Sequence, residues 1–146
     1  MAIRWAFAYP ASLEPDGVGV MVTFRDLTGA ITCGDTRAEA LAEAPDCAEA
    51  ALEFLLRDGD APPPSDPLPG EVVVPLPLRM AAKIALIRSA RANGIGPGEL
   101  ARRMKCDPKE AQRLLDPDYA SKIDRLAKAV QAAGGPALEL HAREVA

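Results

Sequence analysis

Three aspartates at the ends of short apolar runs, Asp16, Asp26 and Asp35, are the first side chains in this sequence whose type could do chemistry. Carboxylates that converge on two cations about 4 Å apart would support metal-assisted cleavage of a phosphodiester. Their settings argue otherwise. Asp16 and Asp26 fall in turn sequences, and Asp35 abuts a helix start, where capping chemistry accounts for it. A metal-dependent nuclease built on these three is therefore the less favoured alternative, and no catalytic residue is expected. Phosphate cradling is less favoured still, because neither GxGxxG nor the Walker pattern occurs. Cys33, Cys47 and Cys106 are odd in number and widely spaced, and His141 is the single histidine. With no CxxC and no Cys/His cluster among them, they do not form a structural metal set, so neither metal nor cofactor is expected.

A second set of candidates lies in IGPGELARRMKCDPKEAQRLLD, residues 95–116. Lys109, Gln112 and Arg113 are of the types that read base edges: lysine and arginine match guanine O6/N7, and glutamine matches adenine. Arg102, Arg103, Lys105, Ser121 and Lys122 suit phosphates, which set affinity and register without reading sequence. Two short helices must position them. Pro97 and Glu99 mark the start of the first, with Leu100, Ala101 and Met104 inward. Asp107 caps a second start with Pro108 at its first position, and Ala111, Leu114 and Leu115 face in. Two such helices joined by a tight turn form a helix-turn-helix pattern, with the second helix in the major groove. Lys105 stands where the turn often carries glycine, since φ > 0 is costly for other residues. Residues 121–133 read as a supporting helix with Ile123, Leu126, Ala127 and Val130 inward.

Charge supports this division. Residues 1–70 carry four Lys and Arg against twelve Asp and Glu, a net of −8, whereas residues 71–146 carry thirteen against nine, a net of +4. An acidic half and a basic half suggest partners of opposite sign, the basic one an electrostatic footprint for nucleic acid. With 49% hydrophobic residues the chain can bury a core, and no apolar run approaches the roughly 20 residues of a membrane span. No signal peptide is apparent and cysteines are few, so a cytoplasmic location and no membrane partner are expected.

The acidic half reads as strand, strand, strand, helix. Residues 3–9 alternate Trp5, Phe7 and Tyr9, the tract PASLEPDG reads as a turn, and GVGVMVTF alternates as the next strand. Asp26–Gly29 is a turn and residues 30–33 a third strand. A helix then begins at the capping box Thr36/Glu39, with Leu41, Ala44, Ala48, Leu52 and Leu55 inward and Pro45 expected to kink it. The tract DGDAPPPSDPLPGE, residues 58–71, holds five prolines and reads as a linker. An edge strand over residues 72–78 follows, completing a βββαβ layer, then a helix over residues 79–93 closed by Gly94. The tail GPALELHARE alternates as a short strand whose pairing with a second copy would make a homodimer or higher even oligomer. The fold class is thus α+β, with an acidic unit over residues 1–70 and a basic all-α unit for DNA binding and dimerisation over residues 79–146.

In order of parts the chain resembles HicB-type antitoxins. The resemblance rests on GVGVMVTFRDLTGAITCGDTRAEAL, PPPSDPLP, VPLPLRMAAKIAL, ELARRM and DYASKIDRLAKA. It implies a partial RNase H-like first domain without the nuclease carboxylates, which binds and blocks HicA, a small basic mRNA-cleaving toxin. It also implies a helix-turn-helix second domain that represses the operon encoding the pair. Toxin and operator DNA are therefore the expected partners, and no short motif marks the toxin-binding residues. A stand-alone helix-turn-helix regulator whose first domain senses a ligand or protein is the competing reading.

Overall fold

The computed structural model describes residues 7–142. Within them lie strands β1 (Ala8–Asp16), β2 (Gly19–Thr23), β3 (Ile31–Gly34) and β4 (Val72–Pro75). Five helices complete the described chain: α1 (Arg37–Asp58), α2 (Leu78–Ala92), α3 (Pro97–Met104), α4 (Pro108–Leu114) and α5 (Ile123–Ala132). The class is α+β, as the sequence predicts. The strands form one antiparallel sheet in the order β3-β2-β1-β4.

The first strand departs from expectation. The sequence predicts a strand over residues 3–9 followed by a turn, yet β1 runs from Ala8 to Asp16 through Pro10 and Pro15. Residues 3–6 of the expected strand, Trp5 included, lie outside the described residues. β1 pairs with β4 through residues 8–11 and with β2 through residues 12–16. Each half of it therefore carries a ladder on one side only, and a proline facing the open side deletes no ladder bond. Gly17, at φ 62°, supplies the left-handed residue that reverses the chain into β2. β4 ends at Pro75, three residues short of the predicted strand, because Pro77 adopts the N-cap position of α2.

Helix α1 starts as its capping box requires. The Thr36 hydroxyl accepts from the Glu39 amide at 3.1 Å, and the Glu39 carboxylate accepts at 3.0 Å from the amide of Asp35, one residue before the cap. Gly34 lets β3 pass straight into this helix, since a Cβ there would stand 2.5 Å from the Ala40 nitrogen. The buried face of α1 is the row Ala40, Ala44, Ala48, Leu52 and Leu56. Leu41 and Leu55, predicted inward, flank that row half-buried. The strict four-residue spacing sets three alanines and then two leucines along one buried face. Pro45 falls on the half-buried flank, and the helix continues through it with the Leu41 carbonyl deprived of its helical donor.

Buried apolar residues gather in two clusters. One joins β1, β2 and β4 to α1 around Tyr9, Val22, Leu52, Leu56 and Val74. The other joins α2, α3, α4 and α5 around Leu86, Leu100, Leu114, Leu126 and Val130. Helix α2 belongs to both: Met80, Ile84 and Ile87 enter the first, and Ala82, Ala85, Leu86 and Ala90 the second. At about 1.5–3 kcal/mol for each large side chain buried, each face of α2 contributes several kcal/mol to a different core.

The proline-rich tract is fastened to the sheet rather than free. The Tyr9 hydroxyl donates to the Pro62 carbonyl at 2.6 Å, the amide and hydroxyl of Ser65 both donate to Asp26 at 2.7 Å, and Arg25 pairs with Glu71 at 3.0 Å. Arg88 of α2 donates to the Ala61 carbonyl at 2.9 Å.

Two further expectations are corrected. Residues 136–142 form no strand, and Leu140 is 74% exposed. Alternation alone does not hold an extended segment that lacks a neighbour for its ladder. In α5 the inward face is Leu126, Ala129, Val130 and Ala133, while Ile123 is 45% exposed and Ala127 half-buried. Ile123 is the first residue of α5, in the exposed opening turn of the helix.

Candidate functional site

Helices α3 and α4 meet through residues 105–107, and the turn is made by Lys105 in the left-handed conformation, φ 54° and ψ 48°. Lys105 is the one non-glycine residue with positive φ among those described. Its strain is offset by the amides of Lys105 and Cys106, which close the α3 carbonyls of Arg102 and Ala101. Asp107 then caps α4, its carboxylate accepting from the Lys109 amide at 2.7 Å. Leu100, Ala101, Ala111 and Leu114 are buried where the two helices cross.

On α4 the three predicted base readers, Lys109, Gln112 and Arg113, are all exposed. The Arg113 guanidinium lies over the Tyr119 ring, 5.3 Å from its centre, which orients it by cation–π attraction. Lys105 and Lys122 are also exposed, and neither side chain has a partner among the described residues.

The remaining phosphate candidates are placed differently. Arg102 and Arg103 both grip Glu99, at 2.8 and 2.9 Å, and their hydrogen bonds hold its carboxyl down to about 2. Arg103 also donates to the Ala132 carbonyl at 3.0 Å, bracing α3 on α5. The Glu99 charge thus neutralises part of what the two arginines would offer a phosphate. Ser121 is buried, and its hydroxyl meets Lys83 Nζ at 3.0 Å.

Lys83 is the residue that sequence reasoning passes over. It is 2% exposed, and its Nζ also donates to the carbonyls of Leu114 at 2.8 Å and Arg113 at 3.1 Å. The ammonium therefore sits on the C-terminus of α4, satisfying carbonyls that a helix end leaves open and complementing the negative end of its dipole. Burial pulls its pKa from 10.5 to about 8, opposed by Asp116 and reinforced by Arg79. The signal was present as a lone charge inside the apolar run AAKIALI. Arg125 adds a second brace, pairing with Glu110 at 2.7 Å to tie α5 to α4.

In the sheet half Asp16 and Asp35 border one groove, but Asp26 lies apart from them. Burial raises the Asp26 carboxyl, but the Ser65 amide and hydroxyl outweigh it and hold it below the usual range, so Asp26 serves as a loop clamp. No group of three or more His, Cys, Asp or Glu side chains that could hold a metal occurs among the described residues. Asp16, Asp35, Glu39, Glu43 and Asp46 instead border two shallow grooves around β3 and α1.

Residues 8–85 match the family model described as the HicB-like antitoxin of bacterial toxin–antitoxin systems. The chain belongs to the HicB-like antitoxin family. Relatives of this HicB-like chain include Antitoxin HicB 2 of Photorhabdus laumondii, 39% identical over 127 residues, covering 86% of this chain and 90% of the relative. Antitoxin HicB of Escherichia coli K12 is 36% identical over 129 residues, covering 86% and 93%. Antitoxin HicB of Pseudomonas fluorescens is 30% identical over 130 residues, covering 88% and 89%. The matched family segment of this HicB-like chain contains the whole sheet, α1 and the start of α2, Lys83 included. No helix among its described residues is long and apolar enough to cross a membrane.

Proposed function

We propose that this chain neutralises a small basic mRNA-cleaving toxin of the HicA type through its acidic sheet half, residues 1–70. Through its basic half, residues 79–146, it represses its own operon. In this reading α3 and α4 form a helix-turn-helix, with α4 in the major groove. The observation that carries the DNA half is the exposed trio Lys109, Gln112 and Arg113 on the second of two short helices joined by the Lys105 turn. Lys105 and Lys122 then meet phosphates on either side. A dimer would present two α4 helices to a palindromic site, with the exposed Leu140 available for apolar contact between copies. We assign the sheet half to a partial RNase H-like layer on the strength of its three-strand meander crossed by one helix. The cytoplasm is the compartment where both partners would be met.

The test uses the full chain. It should restore growth to cells expressing the toxin, and it should protect a defined stretch of the promoter upstream of its gene. Operator affinity should fall steeply with salt, as expected when cations displace counterions from phosphates. Promoter protection without growth rescue would favour a stand-alone regulator, and rescue without protection would remove the repressor role.

A further inference from the structure

The sheet has two edges, and they are not alike. β4, at one end, closes on Pro75 with Pro77 just beyond, both of which discourage strand addition. β3, at the other, is Ile-Thr-Cys-Gly, with neither proline nor lysine, and among the described residues it pairs only with β2. Alongside β3 runs a groove of about 600 Å³, between residues 28–32 and the flank of α1 from Glu43 to Phe54. Two large apolar side chains border it in the open, Ile31 at 60% and Phe54 at 65% exposed. A second groove of about 450 Å³ shares Glu43 and continues around the end of β3, where Val18 is fully exposed.

Every charged side chain lining the two grooves is a carboxylate. Several carboxylates elsewhere on the molecule are matched, among them Glu71 with Arg25, Glu49 with Arg79, Glu110 with Arg125, and Glu99 with Arg102 and Arg103. Glu43, Asp46 and Asp16 have no ion-pair partner among the described residues. Exposed aromatic and aliphatic anchors ringed by unmatched charge of one sign are what an interface leaves behind when its partner is absent.

We infer that the open edge of β3 and the adjoining flank of α1 form the docking groove for a basic protein. An extended segment of that protein runs beside β3, sets an apolar residue between Ile31 and Phe54, and meets Glu43 and Asp46 with lysine or arginine. Main-chain bonds to the β3 edge would provide affinity, and the apolar and acidic borders specificity. The inference rests on the proposed antitoxin function and states where the toxin sits.

The probe is a HicA-type toxin, a small basic protein, titrated against the full chain. Glu43→Lys combined with Asp46→Lys should weaken binding at least tenfold and flatten its dependence on ionic strength. Phe54→Ala should weaken it by a similar factor with the salt dependence kept. All three residues are half-buried or more exposed, and operator affinity and far-ultraviolet dichroism equal to those of the unaltered chain would show that fold is intact. Val73→Asp, on the opposite edge, should leave binding unchanged. Groove variants that bind as tightly as the unaltered chain, or a loss confined to Val73→Asp, would overturn the groove while leaving the antitoxin reading in place. If the unaltered chain captures no toxin, both fall together.

Discussion

Replacing Lys83 with methionine should both cost stability and remove a pH dependence that the buried ammonium creates. The side chain keeps an unbranched apolar stem, one atom shorter, but loses its charge and donors. At pH 7 two effects oppose. The Leu114 carbonyl and Ser121 hydroxyl lose the ammonium as partner, at about 1–3 kcal/mol each for a buried group left unsatisfied. The Arg113 carbonyl keeps a partner, because it also accepts from the Asp116 amide at 3.2 Å. Against this, the burial penalty on the ammonium disappears. A pKa brought from 10.5 to about 8 corresponds to roughly 3 kcal/mol at 1.36 per unit, an upper figure because a small solvent-lined cavity borders the residue. A loss of about 2–6 kcal/mol set against roughly 3 regained leaves a net loss at pH 7 of about 1 kcal/mol at the centre of these ranges.

The pH response has a definite sign. Between pH 8 and 10.5 the unfolded chain holds a proton on Lys83 that the folded chain has released, so this group makes stability rise with pH across that window. Below pH 8 both states are charged and the contribution is constant. Cys47 and Cys106, whose thiols burial pushes up, act in the opposite direction, since the unfolded state loses their protons first. They are common to both proteins and cancel in the difference. Urea unfolding of the unaltered chain and of Lys83→Met at pH 7.5, 8.5 and 9.5 measures that difference directly. The unaltered chain should gain on the variant by about 1–2 kcal/mol from the lowest to the highest pH. Parallel stability curves would refute the argument that burial lowers the pKa of Lys83 in the folded chain.

Two further predictions concern DNA. Arg113→Ala should weaken operator binding by about 1–3 kcal/mol and relax the preference at one base pair, read by competition with substituted operators; an unchanged footprint would argue against α4 as the reader. Glu99→Gln should release Arg102 and Arg103 from their clamp, strengthening binding to unrelated DNA and steepening its salt dependence by up to about two phosphates' worth. Equal salt slopes would mean that neither arginine approaches the backbone.

Much of the local structure was legible because its causes span only a few residues. Thr36 and Glu39 at three-residue spacing, Asp107 followed by Pro108, and the glycine turns each specify a helix end or a reversal from within a single turn of chain. The demand for positive φ at Lys105 was legible for the same reason. The Glu99–Arg102–Arg103 clamp was equally local, at spacings of three and four, and its consequence for phosphate binding could have been read there.

Other features depended on partners remote in the chain. The first half of β1 was set by β4, more than sixty residues away in the sequence, which pairs with Ala8–Ala11 and draws Pro10 into the strand. Ser121 turned inward because Lys83 stands beneath it, 38 residues earlier. The tail stayed unpaired within the described residues because alternation names a face and not a partner.

The amino-acid sequence by itself determined the order of elements, the split of charge between an acidic and a basic half, and the exposed trio on α4. Each follows from composition or from spacing within one or two helical turns. Only the tertiary structure decided that α2 is buried on two sides, that the proline-rich tract lies clamped on the sheet, and that Lys83 anchors the end of α4. A helix face becomes core, and a buried charge becomes a cap, only when distant segments supply the apolar surface and the carbonyl acceptors, and no local pattern of side chains encodes where those segments will lie.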